Sequence, residues 1–295
     1  MKQFFIQLNV AIFLLSVFSF RCLGADKYTL ELNLEKGKTY KQRSISDGKM
    51  SLNAMGQDIE MGSKTETFVH FNVIERNDDV YDIQMTYQKM KMSMDGMMSF
   101  SIDSDSPDGS SAKALQSFIG VPIDIQLTKG GKVIAVKDAD QIAKKINGVS
   151  DEQVKQMISQ QLSESAIQAT FNRTAFLPAK PVAVGDKWDA TLNVNSNGVD
   201  IISKLDLTLK QVKDDIATID FTGTLATPEG GAVMQIQGME ADVTVKGTQT
   251  GTVRLDLKTG WIISSEAIQK STQEIVVMGN ALDMQMEVKA TVTAE

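Results

Sequence analysis

Cysteine is all but absent from this chain: Cys22 is the only one among 295 residues, and His70 is the only histidine. These shortages exclude thiol chemistry, Cys- or His-based zinc sites and most hydrolase triads beyond position 24. Only five prolines and two tryptophans are present, and no glycine pattern matches a phosphate loop, a dinucleotide fingerprint or a nucleophile elbow. Carboxylates are plentiful, but a catalytic pair is defined by distance across a cleft, and nothing in the order of residues marks one.

What is present begins with a leader. Lys2 supplies a positive start, and Phe4 to Phe20 is a run of Phe, Ile, Leu and Val broken only by Gln7, Asn9, Ala11 and the serines. Cys22-Leu23-Gly24 then places small residues three and one before a cut ahead of Ala25. The run is too short for a membrane anchor, and Phe20-Arg21 before Cys22 is not a lipobox. Residues 1–24 therefore read as a secretory signal peptide. Its removal leaves 271 residues without a cysteine and, with Lys2 and Arg21 gone, moves the net charge from −7 to −9. A cysteine-free exported chain must draw its stability from a core. A dispersed negative charge argues against nucleic acid or an anionic membrane surface as partner, and no transmembrane segment follows the leader.

Period-two alternation dominates the rest. Tyr28, Leu30, Leu32 and Leu34 share one face of a predicted strand that turns at Lys36-Gly37-Lys38. Val69, Phe71 and Val73 continue the pattern, and Asn77-Asp78-Asp79 turns into Tyr81, Ile83, Met85 and Tyr87. The apolar phase then shifts to Met90, Met92 and Met94, which predicts a β-bulge near Gln88-Lys89. A polar loop over 103–112 leads to a short helix from Lys113 to Phe118, and Val121 to Leu127 alternates again before the turn Lys129-Gly130-Gly131. Helical spacing follows from about Asp138 to Ile146, and then from a capping box at Ser150 and Gln153 through Val154, Met157, Ile158 and Leu162. Phe176-Leu177-Pro178 ends this stretch.

The region after it repeats the grammar of the first. Gly185-Asp186-Lys187-Trp188 matches Gly37-Lys38-Thr39-Tyr40, Lys213-Asp214-Asp215-Ile216 matches Asn77-Asp78-Asp79-Val80, and Leu257-Lys258-Thr259-Gly260 matches Leu127-Thr128-Lys129-Gly130. All three matches occur in the same order, which points to an internal duplication. In the last predicted strand Leu282, Met284, Met286, Val288, Ala290 and Val292 share a face. The expected fold is mainly β: an antiparallel meander forming a curved sheet or open barrel, with a helical insert near 138–170. The expected organisation is a first β-rich half over 25–137, a connector over 138–175 and a second half over 176–295, in one compact unit.

The candidate site is built on methionine. Met90, Met92 and Met94 share one face, and so do Met284 and Met286. Thioethers are flexible and polarisable and suit an apolar ligand of irregular shape; they also suit Cu(I), because Met-x-Met in a strand points both sulfurs the same way. Core filling is the plainer reading of the same residues. Trp188 and Trp261 follow Gly-containing turns and either pack at a sheet rim or stack on a ligand. Asp103, Asp105 and Asp108 have the wrong spacing for a calcium loop, and a single histidine on a strand is no catalytic site. No metal site and no cofactor are expected.

Several short stretches together resemble a known family: Tyr28-Thr29-Leu30-Glu31-Leu32-Asn33-Leu34 with Gly37-Lys38-Thr39-Tyr40, the Asp103-Ser104 loop before Ile119-Gly120, Gly131-Lys132-Val133, and Phe176-Leu177-Pro178 before Pro181 to Trp188. In their order they resemble a domain-of-unknown-function family of exported proteins common in Bacteroidetes. The resemblance implies a periplasmic or outer-envelope location and brings no activity. The expectation is an exported, non-enzymatic binding protein that holds an apolar or lipid-like ligand in a Met- and Leu-lined β cavity. The alternatives are an envelope interaction or structural protein without a small ligand, and Cu(I) binding. The expected partner is an apolar small molecule or an envelope protein.

Overall fold

The computed structural model describes residues 26–54, 57–96, 99–106, 110–137, 139–149, 155, 158–159, 167–168, 175–196, 199–236 and 239–295. The expected signal peptide and the capping box at Ser150 lie outside the described residues. In chain order the elements are β1 Lys27–Tyr28, β2 Thr39–Ala54, β3 Gln57–Asn77, β4 Val80–Asp95, β5 Phe100–Asp103, α1 Ser110–Gln116, β6 Pro122–Thr128, β7 Val133–Val136, α2 Ala139–Asn147, β8 Val182–Ala183, β9 Lys187–Ser196, β10 Val199–Lys213, β11 Ile216–Ala226, β12 Ala232–Ile236, β13 Met239–Asp256, β14 Ile262–Val277 and β15 Asn280–Ala294.

Thirteen of these strands make one open antiparallel sheet, in the order β7-β6-β4-β3-β2-β15-β14-β13-β11-β10-β9, with β5 added beside β4 and β12 beside β13. The phase shift after Tyr87 is a bulge: Phe68 faces Lys89 and Val69 faces Tyr87, so Gln88 has no opposite residue. One extra residue there moves Met90 and Met92 onto the face of Tyr81, Ile83 and Met85.

The two halves have the same connectivity. In each, three consecutive hairpin strands (β2-β3-β4 and β9-β10-β11) are followed by a short side strand, and the third pairs with the strand beyond it, β6 or β13. The matched turns have the same hydrogen bonds. Gly37 donates to Val73 O at 2.8 Å and Gly185 to Leu209 O at 2.7 Å, while Val73 and Leu209 donate back to Lys38 and Asp186. Both glycines have positive φ, 79° and 94°, where a side chain would be strained. Lys129 N meets Asp79 O and Leu257 N meets Asp215 O, which makes Lys129 the counterpart of Leu257 and moves the third sequence match, Leu127 with Leu257, by two residues. The halves join head to tail through β15 and β2, over an unbroken register from Asp283 opposite Asn53 to Ala294 opposite Gln42.

The alternation at 28–34 proves to be a strap. Only Lys27 and Tyr28 pair as a strand, with Ala183 and Val182. Leu30, Leu32 and Leu34 are buried as their alternation requires, but the backbone between them bonds to turns instead of joining a ladder. Leu32 N donates to Lys129 O and Asn33 N to Thr259 O, both at 2.8 Å. Those carbonyls sit in the turns after β6 and β13. On a flat sheet, the six strand spacings from β6 to β13 would hold the turns about 29 Å apart. Two consecutive residues, with Cα atoms ~3.8 Å apart, bridge them here. The sheet is therefore rolled into a trough, and the strap lies across one end. Tyr81 Oη adds a bond to Leu32 O at 2.8 Å. Gly260 sits against the strap so closely that a Cβ would stand 2.0 Å from Glu31 O.

Candidate functional site

The inner face of the rolled sheet carries three buried clusters. The first, under the helices, combines Val69, Phe71, Tyr81, Met85, Met90, Met92 and Ile125 with Leu115 of α1 and Ile142 and Ile146 of α2. Ile158 and Ile167 join it from the segment after α2. The second sets Leu205, Leu207, Leu209, Ile219 and Val253 against Leu30 of the strap and Phe176 and Val182. The third is smaller and lies at the β12 end, around Val243, Val245 and Ile275, with Met284 packed against it.

Between them runs a stretch that touches a cluster only at its far end, where Met284 packs against the third. The register places Gln42, Ser44, Ser46, Gly48, Met50 and Leu52 of β2 opposite Ala294, Val292, Ala290, Val288, Met286 and Met284 of β15. Directly opposed residues in an antiparallel pair share a face, and these continue into Thr67, Thr65, Ser63, Met61 and Ile59 of β3. On the other side come Ser265, Ala267, Gln269, Ser271 and Gln273 of β14. Met50, Met286, Val288, Ala290 and Val292 are each half-buried and belong to none of the three clusters. No charged residue of β2, β14 or β15 shares this face. The opposite face of the same strands holds Lys41, Arg43, Asp47, Lys49, Glu266, Lys270, Glu287 and Lys289. The floor from Gln42 to Leu52 is about 33 Å long at the usual rise of a strand.

The strap end of this trough is closed by aromatic packing. Trp261 lies with its ring centroid 5.0 Å from Tyr40 and 5.2 Å from Phe71. Its indole nitrogen is buried without a hydrogen-bond partner. Beside it, Leu32, Gln42, Phe71, Leu127, Phe176, Leu177, Leu255 and Ile262 enclose a pocket of about 50 Å³. That is room for a water molecule or two and far below the several hundred Å³ of a small-molecule cavity. The opening for a larger ligand is the trough itself.

The sequence-derived residues divide accordingly. Met90 and Met92 are 1% and 4% exposed in the first cluster, where the helices cover them. Met94 is half-buried on the same strand, and Met284 and Met286 lie on the trough floor. Trp188 packs in the second cluster and donates its indole N–H to Phe176 O at 2.8 Å. Trp261 closes the strap end. The structure thus brings Met284 and Met286 together with Met50 and Met61, which lie far away in the chain, and separates them from both tryptophans.

The other candidates are ordinary surface. Asp103 pairs with Lys91 at 2.6 Å and Asp105 with Lys89. Desolvation would raise the Asp103 carboxyl, but Lys91 and the Asp105 N–H hold it below the usual carboxylate range. His70 stands on the outer face between Lys41 and Thr86. Among the described residues no group of His, Cys, Asp and Glu could hold a metal ion. Nor is any described helix long and apolar enough to cross a membrane.

A family model of unknown function, DUF6263, matches residues 78–262, from the turn after β3 to the first residue of β14. The chain belongs to the DUF6263 family. No curated protein sequence matches it. Its fold is similar to part of lipovitellin, in a structure on lipid–protein interactions in that protein, with a TM-score of 0.52 and 9% identity over 89% of this chain. This DUF6263 chain spans about a quarter of the lipovitellin chain, 25% of its length. Weaker likenesses are the Pseudomonas aeruginosa protein OccK5, with TM-score 0.28, 6% identity and 88% of this chain against 99% of that one. A putative outer membrane lipoprotein-sorting protein domain from Vibrio parahaemolyticus gives 0.17 and 8% over 83% of each chain. These two share too little geometry to bear on the fold.

Proposed function

We propose that this DUF6263 protein is an exported, non-enzymatic binding protein whose trough holds a lipid-like amphiphile. One observation carries the reading. A continuous inner-face row free of charged residues, from Gln42 and Ala294 at the strap to Leu52 and Met284 at the far end, lies half-exposed between buried clusters. Leaving its apolar members, Met50 and Leu52 of β2 and Met284 to Val292 of β15, in contact with water is unfavourable at about 25 cal/mol per Å², and an acyl chain laid along them removes that surface. The hydroxyls of Ser44, Ser46, Thr65 and Thr67 and the amides of Gln42 and Gln269 supply partners for a polar group. Lipovitellin, with a similar sheet, is a protein studied for its lipid contacts; that analogy supports the reading at the level of fold alone. The leader-like residues 1–24 support export.

The test uses an environment-sensitive fatty-acyl probe. Val288→Glu puts a carboxylate on the trough floor, while Lys289→Glu changes charge on the outer face. Saturable binding that falls at least tenfold in Val288→Glu and persists in Lys289→Glu is the expected result. Equal binding by both variants, or none by the wild type after organic extraction, overturns the proposal.

A further inference from the structure

Three methionines from distant parts of the chain stand side by side on the trough floor. Met286 of β15 is directly opposite Met50 of β2, and Met50 is directly opposite Met61 of β3. No register shift interrupts either pairing around them. Met284 is diagonal to Met50, because its own opposite residue is Leu52. Three neighbouring strands thus present three thioethers in one transverse row, all three half-buried and none in a buried cluster.

From this row we infer a binding site for a soft monovalent cation of the Cu(I) type, with Met286, Met50 and Met61 as the sulfur donors. The strand spacing is about 4.8 Å, so the outer two Cβ atoms stand roughly 10 Å apart with Met50 between them. Each side chain extends its sulfur through two further bonds, so the outer sulfurs can turn inward onto one ion beside that of Met50. Core filling does not account for the row. The methionines that fill a core, Met85, Met90 and Met92, are at most 4% exposed under the helices, whereas each methionine of this row is only half-buried and no described helix covers it. The donor set is also selective. Thioethers are neutral and soft, and no carboxylate of β2, β14 or β15 shares the face, so a hard divalent cation finds no partner where Cu(I) does. The sequence alone pointed to Met-x-Met within single strands. The register points instead across strands, with one sulfur from each of three.

The site is distinct from lipid binding in its chemistry, and a leucine substitution separates the two. Leucine keeps the apolar floor and removes the sulfur. The probe is Ag(I), which needs no reductant, followed by Cu(I) under anaerobic conditions. The protein is the full chain carrying Cys22→Ser, without a histidine tag, so that no thiol or imidazole tract competes. Native mass spectrometry is expected to count one ion per chain. Competition with a chelator is expected to show affinity at least tenfold weaker in Met50→Leu and little changed in Met90→Leu, and X-ray absorption of the Cu(I) form is expected to show a sulfur-only shell. No retained ion, an ion held equally by Met50→Leu, or an oxygen or nitrogen shell overturns the assignment. The acyl probe should still bind Met50→Leu; failure of the wild type to bind the acyl probe while it retains the ion would strike the lipid reading and leave the metal site standing.

Discussion

In the first half of the sheet α1, α2 and the segment carrying Ile158 and Ile167 lie on the inner face and bury Met85, Met90 and Ile125. In the second half no described helix does so, and the cover over Leu207, Leu209 and Ile219 comes from Leu30, Phe176 and Val182. The strands and turns beneath are laid out alike, down to the paired bonds of Gly37 and Gly185. What separates the halves is therefore the material between the strands. Insertions after β5 and after β7 made one inner face into a solid core. Among the described residues the seam between the halves received neither cover, and it is this seam, β2 against β15, that forms the trough. Equal strand patterns can carry unequal function because function depends on what is left uncovered.

Gly260 gives the largest expected break in that comparison. Its φ of +65° and its contact with Glu31 and Leu32 leave no room for a Cβ. Gly260→Ala is expected to cost about 3 kcal/mol or more by unseating the strap. Gly37→Ala, with similar φ but nothing within 4 Å, should cost only about 1–2 kcal/mol. Equal losses in urea unfolding would mean that the strap does not hold the halves together.

Next comes the contrast of cover and seam. Met90→Ala empties a site in the helix-covered cluster and should cost about 3 kcal/mol, whereas Met50→Ala on the open floor should cost under about 1 kcal/mol. A large loss at Met50 would mean that the seam is closed in solution.

Tyr81→Phe probes an asymmetry between the halves. The hydroxyl holds Leu32 O from the first half, and the matched residue of the second half is Ala217, buried with no hydroxyl to offer. Loss of the bond should cost about 1–2 kcal/mol, and faster exchange of the strap amides is the accompanying readout.

Smallest near neutrality is a pH effect in the covered half. Burial pushes the Tyr87 hydroxyl up to about 12. A group whose folded pKa is raised stabilises fully below its unfolded pKa, near 10, and the contribution is lost as pH rises through the folded value. Wild-type stability should therefore drop between pH 10 and 12 relative to Tyr87→Phe. Parallel curves would mean that Tyr87 is solvated.

Much of this was legible in the sequence. Alternation told which side chains face inward, because side chains in a strand alternate with period two whatever the strand pairs with. It marked Leu30, Leu32 and Leu34 for burial correctly and implied a ladder wrongly, since burial on one side needs only a covering surface. The phase shift at Tyr87 located the bulge, and the ordered turns located the repeat. The row of Met50, Met61 and Met286 was not legible, because its members are brought together by pairing strands far apart in the chain.

By itself, then, the sequence determined the local facts: strands, turns that need positive φ, the polar outer face and the apolar inner one. These follow from short-range sterics and from the partition of side chains between water and core. Only the tertiary structure decided that β15 closes on β2, that the strap draws the turns of both halves together, and which methionines stay uncovered. Those outcomes depend on contacts between residues hundreds of positions apart, and only the folded sheet fixes their register.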